Sequence, residues 1–164
     1  MARCMRLVYA RRCERGQTTV KHCRPVVLFV ALTLLILTGA CAQDRLLQGA
    51  DQAAVLQYSE PITDNLLQGI DRSDYAAFSR DFDSRMKAAI PPAAFQSQVF
   101  GVVTGRIGNY VSRQVSQVVQ NGDQITVVYR AKFDKENGVI VTLILTAAVP
   151  HQVSRLHFDS TSLE

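Results

Sequence analysis

The sequence predicts an α+β domain, with N-terminal helices packed on a curved four-stranded antiparallel meander. Three observations predict it. Between Gly49 and Val103 apolar residues recur every three or four positions, the period of an amphipathic helix. From Gln124 to Asp134 inward apolar residues alternate one for one with a more polar face, the period of a half-buried strand. Just before that run stands Asn121-Gly122-Asp123, and Asn-Gly accepts the positive φ angles of a type I′ hairpin turn.

In front of the domain lies a segment of another kind. "RRCERGQTTVKHCR" is basic, and from Val26 to Ala40 the chain carries no charge, so a basic stretch precedes an apolar one, as in a secretory signal. A spanning helix needs about 20 apolar residues to cross a hydrocarbon core about 30 Å thick, and this run is short for that. It ends on the small residues Thr38, Gly39 and Ala40, which fit a peptidase cleft, and then comes Cys41. "LTGAC" resembles the lipobox of bacterial lipoproteins. The resemblance implies a diacylglyceryl group on the Cys41 thiol and cleavage just before it. An uncleaved hydrophobic anchor and ordinary secretion are the competing readings. On the lipobox reading residues 1–40 are a signal peptide, 41–49 a short lipid-anchored tether and 50–164 a single domain. The protein is then extracytoplasmic and held to a bacterial membrane through Cys41.

Charge must be recounted on that division. The first 40 residues hold seven of the 18 Lys and Arg but one of the 14 acids, which leaves eleven bases and thirteen acids from Cys41 onward. The basic pI belongs to the leader, and the net −2 of the remainder offers no general nucleic-acid surface. Cys4, Cys13 and Cys23 also lie in the leader, at spacings that match no zinc pattern. The domain is therefore expected to be stabilised by its core and not by disulfides.

Val55, Tyr58, Ile62, Leu66 and Ile70 form the first helical stripe, with Pro61 inside it predicting a kink, or a break and a restart at Ser59 or Glu60. In "DRSDYAAFSRDF", Ser73 is the expected N-cap of a short helix that aims Tyr75, Phe78 and Phe82 at the sheet. "PPAAFQSQVFGVV" predicts a further helix with a Phe95, Val99 and Val102 stripe, ended by Gly105. A strand follows near Tyr110–Val119. The next places Ile125, Val127, Tyr129, Ala131 and Phe133 on its inner face. "VIVTLILTAAV", apolar on both faces, is expected to be central. In "SRLHFDS", Leu156 and Phe158 look inward, which turns Arg155 and His157, and His151 before them, to solvent.

The run Asp64–Phe95, with its order of "DN-L", "DY-AF", "DF" and "MK", resembles the bacterial family of domain of unknown function 3887. That resemblance implies a cone of the nuclear-transport-factor-2-like, or cystatin-like, kind and brings no catalytic residues with it. Phe95, Phe100, Tyr110, Tyr129 and Phe133 are the candidate pocket lining in such a cone, although rings at these spacings also make an ordinary core.

Asp81 and Asp83 invite a paired-carboxylate reading, but residues two apart on a helix do not share a face, and Arg80 and Arg85 are at hand as surface partners. No Gly-rich phosphate loop, nucleophile elbow or His-x-x-x-His pair occurs in the sequence, so neither a cofactor nor a metal is expected. The sequence thus points to a non-catalytic binding module, with the membrane as one partner and a protein or a second copy as another. A small-molecule enzyme or ligand pocket within the cone is the alternative.

Overall fold

The computed structural model describes residues 44–163; the expected signal peptide and Cys41 lie outside the described residues. Five antiparallel strands form one sheet in the order of the chain: β1 (Arg45–Leu46), β2 (Tyr110–Asn121), β3 (Gln124–Phe133), β4 (Asn137–Thr146) and β5 (Val153–Asp159). Helices cover one face. The meander of four strands is present, and β1 adds a fifth at its edge by pairing Arg45 with Gln120 and Leu46 with Val119. Two residues suffice because the long β2 supplies the ladder. Leu47 then turns inward to 4% exposure and its N–H donates to the Val118 carbonyl. Most of the expected tether is thus folded into the domain.

Helix α1 (Gly49–Asp71) runs unbroken through Pro61, so no second piece starts at Ser59 or Glu60. Pro61 and Gln57 are both exposed, and the carbonyl that proline leaves without an N–H faces solvent. The buried face of α1 is broader than its apolar stripe. Val55, Leu66 and Ile70 are joined by Ser59 and Thr63, which are 0% and 1% exposed.

Helix α2 (Tyr75–Ser79) is capped by Asp74, whose carboxylate accepts from the Ala77 N–H at 3.1 Å. Ser73 is not the cap: at φ 54° it forms the turn before it and bonds the Gln96 side chain. Phe82 lies beyond α2, yet its ring meets Phe78 edge-on at 4.8 Å. Asp83 caps α3 (Ser84–Ala89) by accepting from the Met86 N–H at 2.7 Å, while Asp81 bonds Asn65 and pairs with Arg80. The two acids therefore serve separate structural tasks.

Three consecutive pieces, Pro92–Ala94, Phe95–Phe100 and Gly101–Arg106, make helix α4, and the middle one is a π turn. Its extra residue rotates the buried face by one position, so Val103 and Ile107 are buried and the expected Val102 is only half-buried. The helix also outlasts Gly105. The terminator is Gly108, at φ 92°, whose N–H returns to the Val103 carbonyl; a Cβ there would collide with Asp134.

The sheet agrees closely with its periodicity. All five inward residues of β3 are 0–3% exposed, and β4 is central, between β3 and β5. The β2–β3 turn is displaced by one residue. Asn121 pairs with Gln124, so the loop is Gly122-Asp123, with a positive φ at Gly122 alone; this is the II′ pattern and not I′. Arg155 and His157 are exposed as expected, but His151 is half-buried and stacks on Tyr58 with ring centroids 3.7 Å apart.

Candidate functional site

α1 brings four polar side chains to the sheet in one and a half turns. Ser59 and Thr63 lie on its buried face, and Glu60 and Asp64, four apart, sit beside them. Opposite, β2 carries two bulges, between Tyr110 and Ser112 and between Val115 and Gln117. Each extra residue resets the alternation, and Tyr110, Arg113 and Val115 face the helix as a result. The Arg113 side chain is 7% exposed. Its Nη1 donates to Asp64 Oδ1 at 2.6 Å and to Tyr110 Oη at 3.0 Å. Its Nη2 donates to the Glu60 carboxylate and to the Glu60 carbonyl. The guanidinium also lies 5.2 Å from the Tyr129 ring centroid and 5.9 Å from that of Tyr110.

Burial works against this charge, but the Asp64 hydrogen bond and the Glu60 carboxylate outweigh it, so the guanidinium is held charged even more firmly than usual. Deeper in, Tyr129 Oη lies 3.2 Å from Thr63 Oγ1 and 3.5 Å from Ser59 Oγ. Thr63 has one hydroxyl proton, and its nearer acceptor is the Ser59 carbonyl at 2.7 Å, so the phenol is the donor in the Tyr129–Thr63 contact. Burial pushes the Tyr129 phenol up and keeps it neutral.

The Arg113 cation is held by two carboxylates that are themselves partly exposed, its Nε is buried without a hydrogen-bond partner among the described residues, and the Tyr129 phenol is a neutral donor to a neighbouring hydroxyl. The cluster fastens the middle of α1 to β2. The sequence does hold one signal for it: α1 contains no Lys or Arg, so any cation paired with its two like charges four apart comes from elsewhere in the fold.

The five rings named as pocket lining divide between two clusters and the core's edge. Phe95 packs with Phe78 at 4.7 Å and Tyr75 at 5.7 Å, while Tyr110 meets Phe133, which meets Phe158 in turn. Phe95, Tyr129 and Phe133 are 0–2% exposed, whereas Phe100 and Tyr110 are half-buried at the core's edge. Three surface grooves of about 200, 250 and 290 Å³ are lined by other residues.

Near the core's edge, Asp71 Oδ1 accepts from the Tyr110 N–H at 3.0 Å. Burial raises this carboxyl above its ordinary 3.8, and nearby Asp134 adds to that, against the lowering effects of the Tyr110 bond and Arg72. A raised value in the fold means that the fold favours the protonated form. The contribution is complete below the unfolded value and is lost as pH rises through the folded one. Asp71→Asn keeps an acceptor for Tyr110 and cannot ionise. It is expected to melt above the wild type at pH 7, with the difference closing below about pH 4 in a pH series of thermal melts.

The face of the sheet turned away from the helices is a second candidate. Cross-strand pairing gathers Val128, Ile140 and Ile144 there, all half-exposed, with Thr126 and Thr142 among them. Arg130, Lys132, Arg155 and His157 are exposed around them, against Asp159 alone among the acids of β2–β5 on that face. Among the described residues no group of three or more His, Cys, Asp or Glu could hold a metal ion, and no helix is long and apolar enough to cross a membrane.

The fold and these two surfaces define an α+β domain with helices on one face of a five-stranded antiparallel sheet. No protein-family model, curated protein or solved structure matches the chain.

Proposed function

We propose that the chain is a bacterial envelope lipoprotein, anchored through Cys41, whose cystatin-like domain is a non-catalytic binding module for an acidic protein surface. The observation that carries the binding reading is the contrast between the two sides of the sheet. The inner side carries the chain's own buried rings and a cation already paired twice. The outer side presents half-exposed Val and Ile with a basic rim, on a chain that is net acidic from Cys41 onward. Apolar side chains with a predominantly basic surround, Arg130, Lys132 and Arg155 against Asp159, suit a partner of the opposite sign, because charge steers the encounter and desolvation of the centre holds it. The lipobox-like "LTGAC" supports the anchor, and the resemblance to the family of domain of unknown function 3887 supports the cone.

Both parts have a direct test. Cys41→Ser is expected to move the protein from the membrane to the soluble fraction and to abolish lipid labelling; a variant that stays in the membrane with unchanged mobility rejects the anchor. A photoreactive residue at Thr142 is expected to give a discrete adduct in intact cells that disappears with Arg130→Glu and Lys132→Glu. The same group at Gln98, exposed on α4, should give none. Equal labelling from both positions rejects the docking face.

A further inference from the structure

Large hydrophobic side chains with high exposure are few among the described residues: Leu46 at 53%, Val111 at 53% and Val149 at 83%. Leu46 and Val149 lie at the same end of the domain. Leu46 is on β1, beside the end of β2, and the Asn121 side chain donates to Asp44. The Ala147 N–H donates to the Asp123 carbonyl and so ties the β4–β5 loop, with Val149 at its tip, to the same hairpin. Val111 sits eight residues back along β2 from Val119, the partner of Leu46, and with a bulge between them lies about 20 Å away along the sheet at a rise of about 3.3 Å per residue. The chain enters at the Leu46 and Val149 end, and Cys41 is three residues before Asp44, a reach of at most about 10 Å.

We infer that this end, led by Val149 and Leu46, is the surface that the domain lays against the bilayer. The inference rests on the anchor at Cys41 proposed above. An anchored lipid places the headgroup region within a short tether's length of Leu46 and of the Val149 loop tied to the same hairpin. The charge here selects the kind of contact. Asp44 and Asp123 are exposed, and the Arg45 guanidinium is paired with Asp51, so attraction to anionic lipid is not what holds the surface. The contact is apolar, with Val149, Pro150 and Leu46 entering a zwitterionic interface. Half-buried Tyr58 and His151 stack beside the loop and combine an apolar body with a polar edge, as interfacial residues do. So small an apolar surface binds weakly by itself, and the tether raises its local concentration enough for the contact to form.

The sequence contains no tryptophan, and Cys41 is the sole cysteine of residues 41–164, so the test can be site-specific at both ends. The described core closes within residues 45–163, and the processed chain 41–164 is the material to use. It is coupled through Cys41 to maleimide-bearing phosphatidylcholine vesicles, with a single tryptophan placed by Val149→Trp, Leu46→Trp or Val111→Trp. Insertion to about 5–10 Å predicts blue-shifted emission from Val149→Trp and Leu46→Trp, quenched about twofold by brominated phosphatidylcholine, with Val111→Trp unchanged. Emission that is unquenched at both 149 and 46, or quenched as strongly at 111, overturns the inference. So does quenching that requires added anionic lipid. Because the link is made chemically, the result is independent of whether cells lipidate Cys41, and a failure of the anchor proposal would be seen separately in the Cys41→Ser fractionation.

Discussion

Phe78→Ala is expected to destabilise the domain by about 3–5 kcal/mol, the cost of removing a large aromatic side chain from a site that cannot collapse. Phe78 is 1% exposed and is the centre of the aromatic cluster, with Phe82 at 4.8 Å, Phe95 at 4.7 Å and Tyr75 at 6.5 Å. Those rings come from α2, the segment after it and the π turn of α4, so one cavity would loosen three connections at once. A loss of this size consumes much of the stability of a domain of this length. Asp81→Asn, at a half-buried side chain with one long contact and one exposed ion-pair partner, and His157→Ala, at an exposed one, should each change stability by less than about 0.5 kcal/mol. Asp81 keeps its long 3.4 Å contact with Asn65 through an amide, and His157 is exposed on β5. Chemical denaturation of the three variants checks the order. If Phe78→Ala unfolds with the wild type while Asp81→Asn abolishes an activity, the "DYAAFSRDF" run is a site and not architecture.

The doubly neutralised variant Glu60→Gln with Asp64→Asn is expected to cost about 3 kcal/mol, toward the lower end of what an uncompensated buried charge exacts, because the amides keep oxygen acceptors. The Arg113 side chain is 7% exposed, whereas Glu60 and Asp64 are 38% and 49% exposed. That asymmetry decides the result. With the acids neutralised, the guanidinium remains buried without a counter-charge. With Arg113→Met, the stem is still filled and the two carboxylates can turn to water, so the loss should stay below about 2 kcal/mol. Urea denaturation at neutral pH distinguishes the two cases, and an equal or reversed order would mean that the arginine contributes packing and not charge.

Where a signal was local, it was legible. The one-for-one alternation of β3 placed all five inward residues, because a strand's side chains alternate whatever surrounds it. The spacing of Tyr75, Phe78 and Phe82 placed the aromatic cluster, although Phe82 reaches it from outside the helix. The candidate site was less legible. Phe95, Tyr129 and Phe133 are inward, as their spacing predicts, and two of them meet other rings at the core. Arg113 went unnamed because "YVSRQVSQVV" shows no bulge, and two extra residues decide which side chains of β2 point to the helix. Ser59 and Thr63 were hidden for a related reason: an apolar stripe marks what can be buried unaided, and these two are buried because Tyr129 reaches them across the interface.

Choices between near-equivalent neighbours also went unread. Ser73 and Asp74 are both good caps, Gly105 and Gly108 both good terminators, and Asn121-Gly122 and Gly122-Asp123 both good turns. In each pair the local chemistry permits either member, and the energy difference lies in what the flanking element must reach: Gln96 for Ser73, Asp134 for Gly108, the Thr126 register for the hairpin. By itself the sequence determined the class of fold, the order of three of its helices and four of its strands, and the inward face of β3, since hydrophobic period is carried by each segment alone. The tertiary structure decided the fifth strand, the bulges, the π turn and the buried arginine between two acids. These exist only where one element meets another, and their free energy comes from pairing and desolvation across that contact, which no single segment contains.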